Sequence, residues 1–157
     1  MANTSSPNRS ARQRGVTLVE LLIVVLLISL LVGIALPFYA WYYNRVRTAQ
    51  AVGEIAGMVV LINRFADDAR ALPPDLATAS IPTRNDPWGQ PYVYYNVEAN
   101  GRGGARKDKA LNPLNTDFDL YSMGPDGVTK KQISQKDSLD DILRASNGRF
   151  LGVAADF

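Results

Sequence analysis

Across residues 16–43 the only formally charged side chain is Glu20, and the 23 residues 21–43 carry none. At about 1.5 Å rise per residue, that uncharged stretch is long enough to cross a hydrocarbon core of roughly 30 Å as a helix. An ionised carboxylate in such a segment costs about 2.5 to 3.5 kcal/mol at the bilayer centre and less near an interface. Glu20 therefore needs a partner. Pro37 interrupts the run, and the missing N–H of an interior proline predicts a kink or local melting over residues 33–37.

The apolar run is preceded by a polar leader. Residues 1–14 include Arg9, Arg12 and Arg14 and no acid, which places them on the cytoplasmic side and the rest of the chain across the membrane. A cleavable secretory signal has an apolar stretch of about 7 to 15 residues with small residues after it. Here the stretch is about twice as long and the small residue, Gly15, comes before it. A plain N-terminal anchor is the simpler alternative. Three of the 17 basic side chains precede Gly15, so a chain cut there has 14 basic against 15 acidic groups, and the charge becomes −1. No nucleic-acid footprint remains, and nucleic acid is not an expected partner.

With 157 residues, there is room for one ordinary domain besides the apolar segment. The absence of Cys and His excludes Cys or His nucleophiles, Ser-His-Asp triads and His/Cys zinc sites. Without disulfides, the domain must be held by a well-packed core or by a hard cation on oxygen ligands.

Beyond Tyr43 the pattern becomes amphipathic. Val52, Ile55, Val59, Ile62, Ala66 and Ala69 recur at spacings of three and four, predicting one helix from Val16 to about Ala71, ended by Pro73-Pro74. A linker follows, with a short helical turn over residues 75–79. Residues 92–96 and 117–122 are the predicted strands, and Gly124-Pro-Asp-Gly127 is a turn. Trp88 and Tyr92 should close the base of the helix-sheet core. The basic run Gly101-Arg-Gly-Gly-Ala-Arg-Lys-Asp-Lys109 is expected to be a solvated loop, and a contact surface is the alternative. Asp67-Asp68, or Asp117 with Asp119, could be offered as acid/base pairs of a tethered enzyme, but are expected to be solvated charges. The chain is not expected to be an enzyme.

Two stretches carry a family resemblance. Gly15-Val-Thr-Leu-Val-Glu20-Leu-Leu-Ile-Val-Val, followed by Ala35-Leu-Pro37-Phe-Tyr39, is similar to the N-terminal segment of type IV pilins and type II secretion pseudopilins. Asn85-Asp-Pro-Trp-Gly-Gln-Pro-Tyr92 resembles the first-strand entry of the major pseudopilin of type II secretion. The resemblance implies an α+β pilin-like fold, in which a long N-terminal helix packs on a small antiparallel sheet. It implies a leader (1–15) removed by a prepilin peptidase between Gly15 and Val16, with methylation of the new amine, although Val16 stands where the family usually has Phe. A transmembrane and filament-core helix (16–43) and a periplasmic head (44–157) would follow. Glu20 would meet the N-terminal amine of a neighbouring subunit, an attraction on the order of 4 kcal/mol at ~4 Å and an effective dielectric of about 20.

The same resemblance implies a calcium site formed by the Met123 carbonyl, Asp126, Asp140 and Asp141. Oxygen donors of this kind suit calcium, which takes about six to eight of them. The metal-free alternative stays open, because Lys130, Lys131 or Lys136 could neutralise the same acids, and Asp137 or Ser138 could begin a short helix. The expected product is a single-pass protein of the bacterial inner membrane, extracted into a periplasmic pseudopilus that drives export across the outer membrane. Its expected partners are copies of itself, minor pseudopilins, the peptidase/methylase, and the inner-membrane assembly platform with its ATPase. The alternative is a type IV pilin of a surface filament for adhesion, motility or DNA uptake. The absent cysteines weigh against it, since such pilins commonly staple the C-terminal region with a disulfide.

Overall fold

The computed structural model describes residues 15–82 and 84–157, apart from the side chains of Pro37 and Ala40. The leader readings at residues 1–14, Arg9, Arg12 and Arg14 among them, lie outside the described residues. The chain divides into two compact units after Trp41. Helix α1, Leu18–Ala69, begins in the first and ends in the second.

In the first unit, every described side chain from Gly15 onward is exposed. Of the kink or local melting expected over residues 33–37, the melting does not occur: α1 is one continuous helix through Pro37. One absent N–H removes one bond from a ladder that continues on both sides. This helix is long and apolar enough to cross a membrane by length and composition.

In the second unit, the amphipathic half of α1 buries Ala51, Ile55, Met58 and Ile62. The buried stripe runs one step to the side of the predicted one: Val52 and Val59 flank it, and Ala69 is exposed. Burying an aliphatic side chain contributes about 1.5 to 3 kcal/mol, so this face fastens the helix to the head. The helix stops at Ala69 because Arg70 turns left-handed (φ 57°) before Pro73 is reached. Residues 75–79 form turns rather than a helical turn, with Asp75 Oδ1 accepting from the Thr78 N–H at 2.7 Å.

The sheet is an antiparallel meander in the order β1 (Val93–Asn96), β2 (Phe118–Ser122), β3 (Ile142–Ala145), β4 (Phe150–Val153). Its register pairs Val93 with Tyr121, Tyr121 with Leu143, and Leu143 with Gly152. The first two strands match expectation. The third and fourth were not predicted, nor was the short helix α2 (Val97–Asn100), capped by the Asn96 side chain. Alternate residues place Phe118, Leu120 and Ile142 against α1, with Tyr92 and Ile81. The opposite face is covered too, by Leu114 and Ile133 from the long connections packed on Leu143 and Ala145. With both faces covered, β3 is buried along its whole length.

Candidate functional site

The first candidate lies at the head of α1. Thr17 Oγ1 accepts the Glu20 N–H and the Thr17 carbonyl accepts the Leu21 N–H, both at 3.2 Å. Thr17 is therefore the cap, and Thr-x-x-Glu is the sequence pattern of a capping box, a signal present in the chain that the sequence reading passed over. Glu20 stands in the first turn, where the helix dipole favours a negative charge. Its side chain is exposed, and no ion pair among the described residues includes it. Gly15 and Val16 precede the helix, non-helical and exposed, as a peptide bond must be to enter a protease.

The second candidate is the acidic turn. Gly124 (φ +68°) packs so closely that a Cβ there would lie 2.4 Å from the Asp140 carbonyl oxygen. Next to it, the Asp126 N–H donates to Asp140 Oδ2 at 3.3 Å, and Asp126 Oδ1 accepts from the Val128 N–H at 2.8 Å. The turn following Met123 thus does meet Asp140. Asp141 is engaged elsewhere. Fully buried, it accepts from Arg106 Nη2 at 2.5 Å and from Thr129 Oγ1 at 2.6 Å, and Arg106 also donates to Thr129. Asp141 is thus not shared with the turn, and among the described residues no group of three or more His, Cys, Asp or Glu side chains could hold a metal ion. A calcium ion brought to Asp141 would face a guanidinium, so the donor set does not fit it. The neutralising cation is not one of the expected lysines either: Lys130 pairs with Asp137 at 3.8 Å, with both side chains largely exposed.

Sequence reasoning missed Arg106, which sits in the run expected to be a solvated loop and is 3% exposed. No local signal marks it. Asp119, expected to be a solvated charge, is 1% exposed. It accepts the Arg106 N–H at 2.6 Å and the Asn115 side-chain amide at 2.8 Å. Burial pushes its carboxyl above the ordinary value against those bonds. Burial likewise raises Asp141, with Thr129 and Arg106 pulling the other way. At Asp117 burial also acts to raise the carboxyl, but bonds from Arg144 at 2.6 and 2.9 Å, with the Phe118 N–H, outweigh it and leave it below the ordinary range. These aspartates are structural: Asp117 is held by the Arg144 fork, Asp141 by Arg106 and Thr129, and Asp119 by the Asn115 amide and the Arg106 N–H.

The Asp86–Tyr92 stretch forms a self-contained turn. Asp86 Oδ1 accepts the Trp88 and Gln90 N–H groups at 3.0 and 2.8 Å, and Oδ2 accepts the Ser122 hydroxyl at 2.5 Å. The turn thereby anchors the start of the sheet to the end of β2. Tyr92 donates to Glu54 on α1 at 2.7 Å, and Trp88 packs against the same core, so both aromatics take the predicted structural place.

Residues 10–36 match the family described as "Prokaryotic N-terminal methylation motif". The chain is 32% identical over 142 residues to a type IV major fimbrial protein FimA of Dichelobacter nodosus, covering 88% of this chain and 85% of that protein. It is 35% identical over 74 residues to fimbrial protein Q of Moraxella bovis, covering 47% of this chain and 46% of that protein. The type II secretion system core protein G of Pseudomonas aeruginosa is 27% identical over 137 residues, covering 74% and 86% of the two chains. No solved structure matches at the same stringency.

Proposed function

Because the chain belongs to the type IV pilin and type II secretion pseudopilin superfamily, its role is structural, and we propose that it is the repeating subunit of a type II secretion pseudopilus. In this reading, a prepilin peptidase cuts between Gly15 and Val16 and the Val16 amine is methylated. The released helix is anchored in the inner membrane with the head in the periplasm. An assembly platform and its ATPase then draw the subunit into a filament that carries minor pseudopilins and pushes folded proteins through the outer membrane. The observation that carries the filament role is Glu20, exposed in the first turn of an apolar helix and without an ion-pair partner among the described residues. A neighbour's N-terminal amine supplies that partner, so subunits join only after processing.

The pseudopilus is preferred over a surface pilus because of the Asn85–Tyr92 stretch, which resembles the first-strand entry of the major pseudopilin and is tied to β2 by the Ser122–Asp86 bond. The absent cysteines weigh the same way. A surface type IV pilus is the second reading, favoured by the higher identity to fimbrial proteins over 88% of this chain. Deleting the subunit separates the two. Exported proteins that accumulate in the periplasm, with surface fibres unchanged, support the pseudopilus. Loss of long surface fibres in electron micrographs, with export intact, establishes the pilus instead.

A further inference from the structure

We propose that the Arg106 guanidinium stands in place of a metal ion against Asp141, so that the head folds without calcium and its outer sheet face depends on this one arginine. The inference does not rest on the choice between pseudopilus and pilus.

Arg106 is joined to four other parts of the head. Its N–H donates to Asp119 on β2 at 2.6 Å, and its carbonyl accepts the Leu114 N–H at 2.9 Å. Its guanidinium donates to Thr129, in the connection after β2, and to Asp141, just before β3. The guanidinium carbon lies 4.3 Å from the centroid of Tyr121, the distance of a cation stacked on an aromatic face. Thr129 completes the set by donating to Asp141 Oδ2. Gathering acids and oxygens from separate connections is the task a bound dication performs in a small extracytoplasmic domain, and here a side chain performs it.

The remaining carboxylates do not gather into a group of three that could hold a metal ion among the described residues. One oxygen of Asp126 and one of Asp140 already accept N–H groups within the turn. Of Asp141, only Oδ1 is buried without a hydrogen-bond partner, and the matching unpartnered donor is Arg106 Nε. Calcium would need several oxygens at once and would sit beside a buried positive charge.

The test is thermal unfolding of the purified full-length protein in detergent micelles, followed by near-ultraviolet circular dichroism of the head. Equal Tm in excess calcium and in chelator is expected for the native chain. A rise of several degrees in calcium that Asp126→Ala abolishes would overturn the proposal. Removing one partner of a buried pair strands the other charge, so Arg106→Met and Asp141→Leu should each lower Tm by roughly 10 °C or more. The double replacement, apolar on both sides, should lose less than the sum, and additive losses would overturn the pairing. If neither single variant folds, a folded double variant still supports the pairing, and an unfolded one overturns it.

Discussion

Glu20 and Asp141 are carboxylates in the two units of one chain, under opposite conditions. Around Glu20 the described apolar side chains of the first unit are all exposed, and no ion pair among the described residues includes it. Around Asp141 the reverse holds: the charge is inside, and its cation comes from the same chain, 35 residues away. The head also buries Asp119 and Arg144, each with partners. The contrast separates two ways of completing a structure. The head pairs its buried charges within the chain. The N-terminal helix leaves apolar surface and one charge to be satisfied by lipid or by other copies.

The largest expected effect comes from Glu20→Ala, which should abolish filament assembly while leaving head Tm unchanged. Sheared-filament yield and circular dichroism check the two halves, and normal filaments would break the contrast. Gly15→Leu should block processing, visible as an unshifted precursor band. Within the head, Gly124→Ala should cost about 2 to 3 kcal/mol in denaturant titration. The new Cβ would meet the Asp140 backbone at 2.4 Å in a left-handed conformation.

A smaller effect is expected from pH. Asp117 is depressed below its ordinary 3.8 in the folded chain, so the stability it contributes is present above about pH 4 and is lost as pH falls through the folded value. Asp117→Asn should remove that part of the acid loss, about 1 kcal/mol after solvent screening, and flatten Tm against pH below about 4. Asp119, raised by burial, has the opposite sign, contributing most below 3.8 and losing that contribution as pH rises through its folded value. The smallest effect is Gly53→Ala. It lies on an exposed helical position with nothing within 4 Å of the added Cβ, and should stabilise the head by about 0.5 to 1 kcal/mol. A reduction in filament yield by the same substitution would place that face of α1 in subunit packing.

The readings that held were those with a local physical cause. The long helix, the first two strands and the Gly124–Gly127 turn follow from periodicity and turn chemistry over a few residues. The third and fourth strands had a signal that went unused: Asn147-Gly148 between two apolar runs is a hairpin turn pattern, and Ser146, Asn147 and Gly148 all adopt positive φ. Their apolar alternation is blurred because both faces of the sheet are covered, which removes the polar half of the pattern. The end of α1 was misassigned because two prolines were an obvious stop, whereas Arg70 reaches the left-handed region first.

The sequence by itself determined the apolar segment at residues 16–43, its length, its lone charge and the small residue before it. Each of these is a property of consecutive residues, and a helix makes its bonds within four positions. Only the tertiary structure decided which cation Asp141 would meet. Lys130, Lys131 and Lys136 were nearer in sequence, but Arg106 is brought to it when the connection before β2 pairs with the one after it, Lys107 donating to the Lys131 carbonyl at 2.8 Å. That pairing lies across the outer face of the sheet. There a buried acid is stable only beside a buried base, and which base arrives depends on how the connections cross.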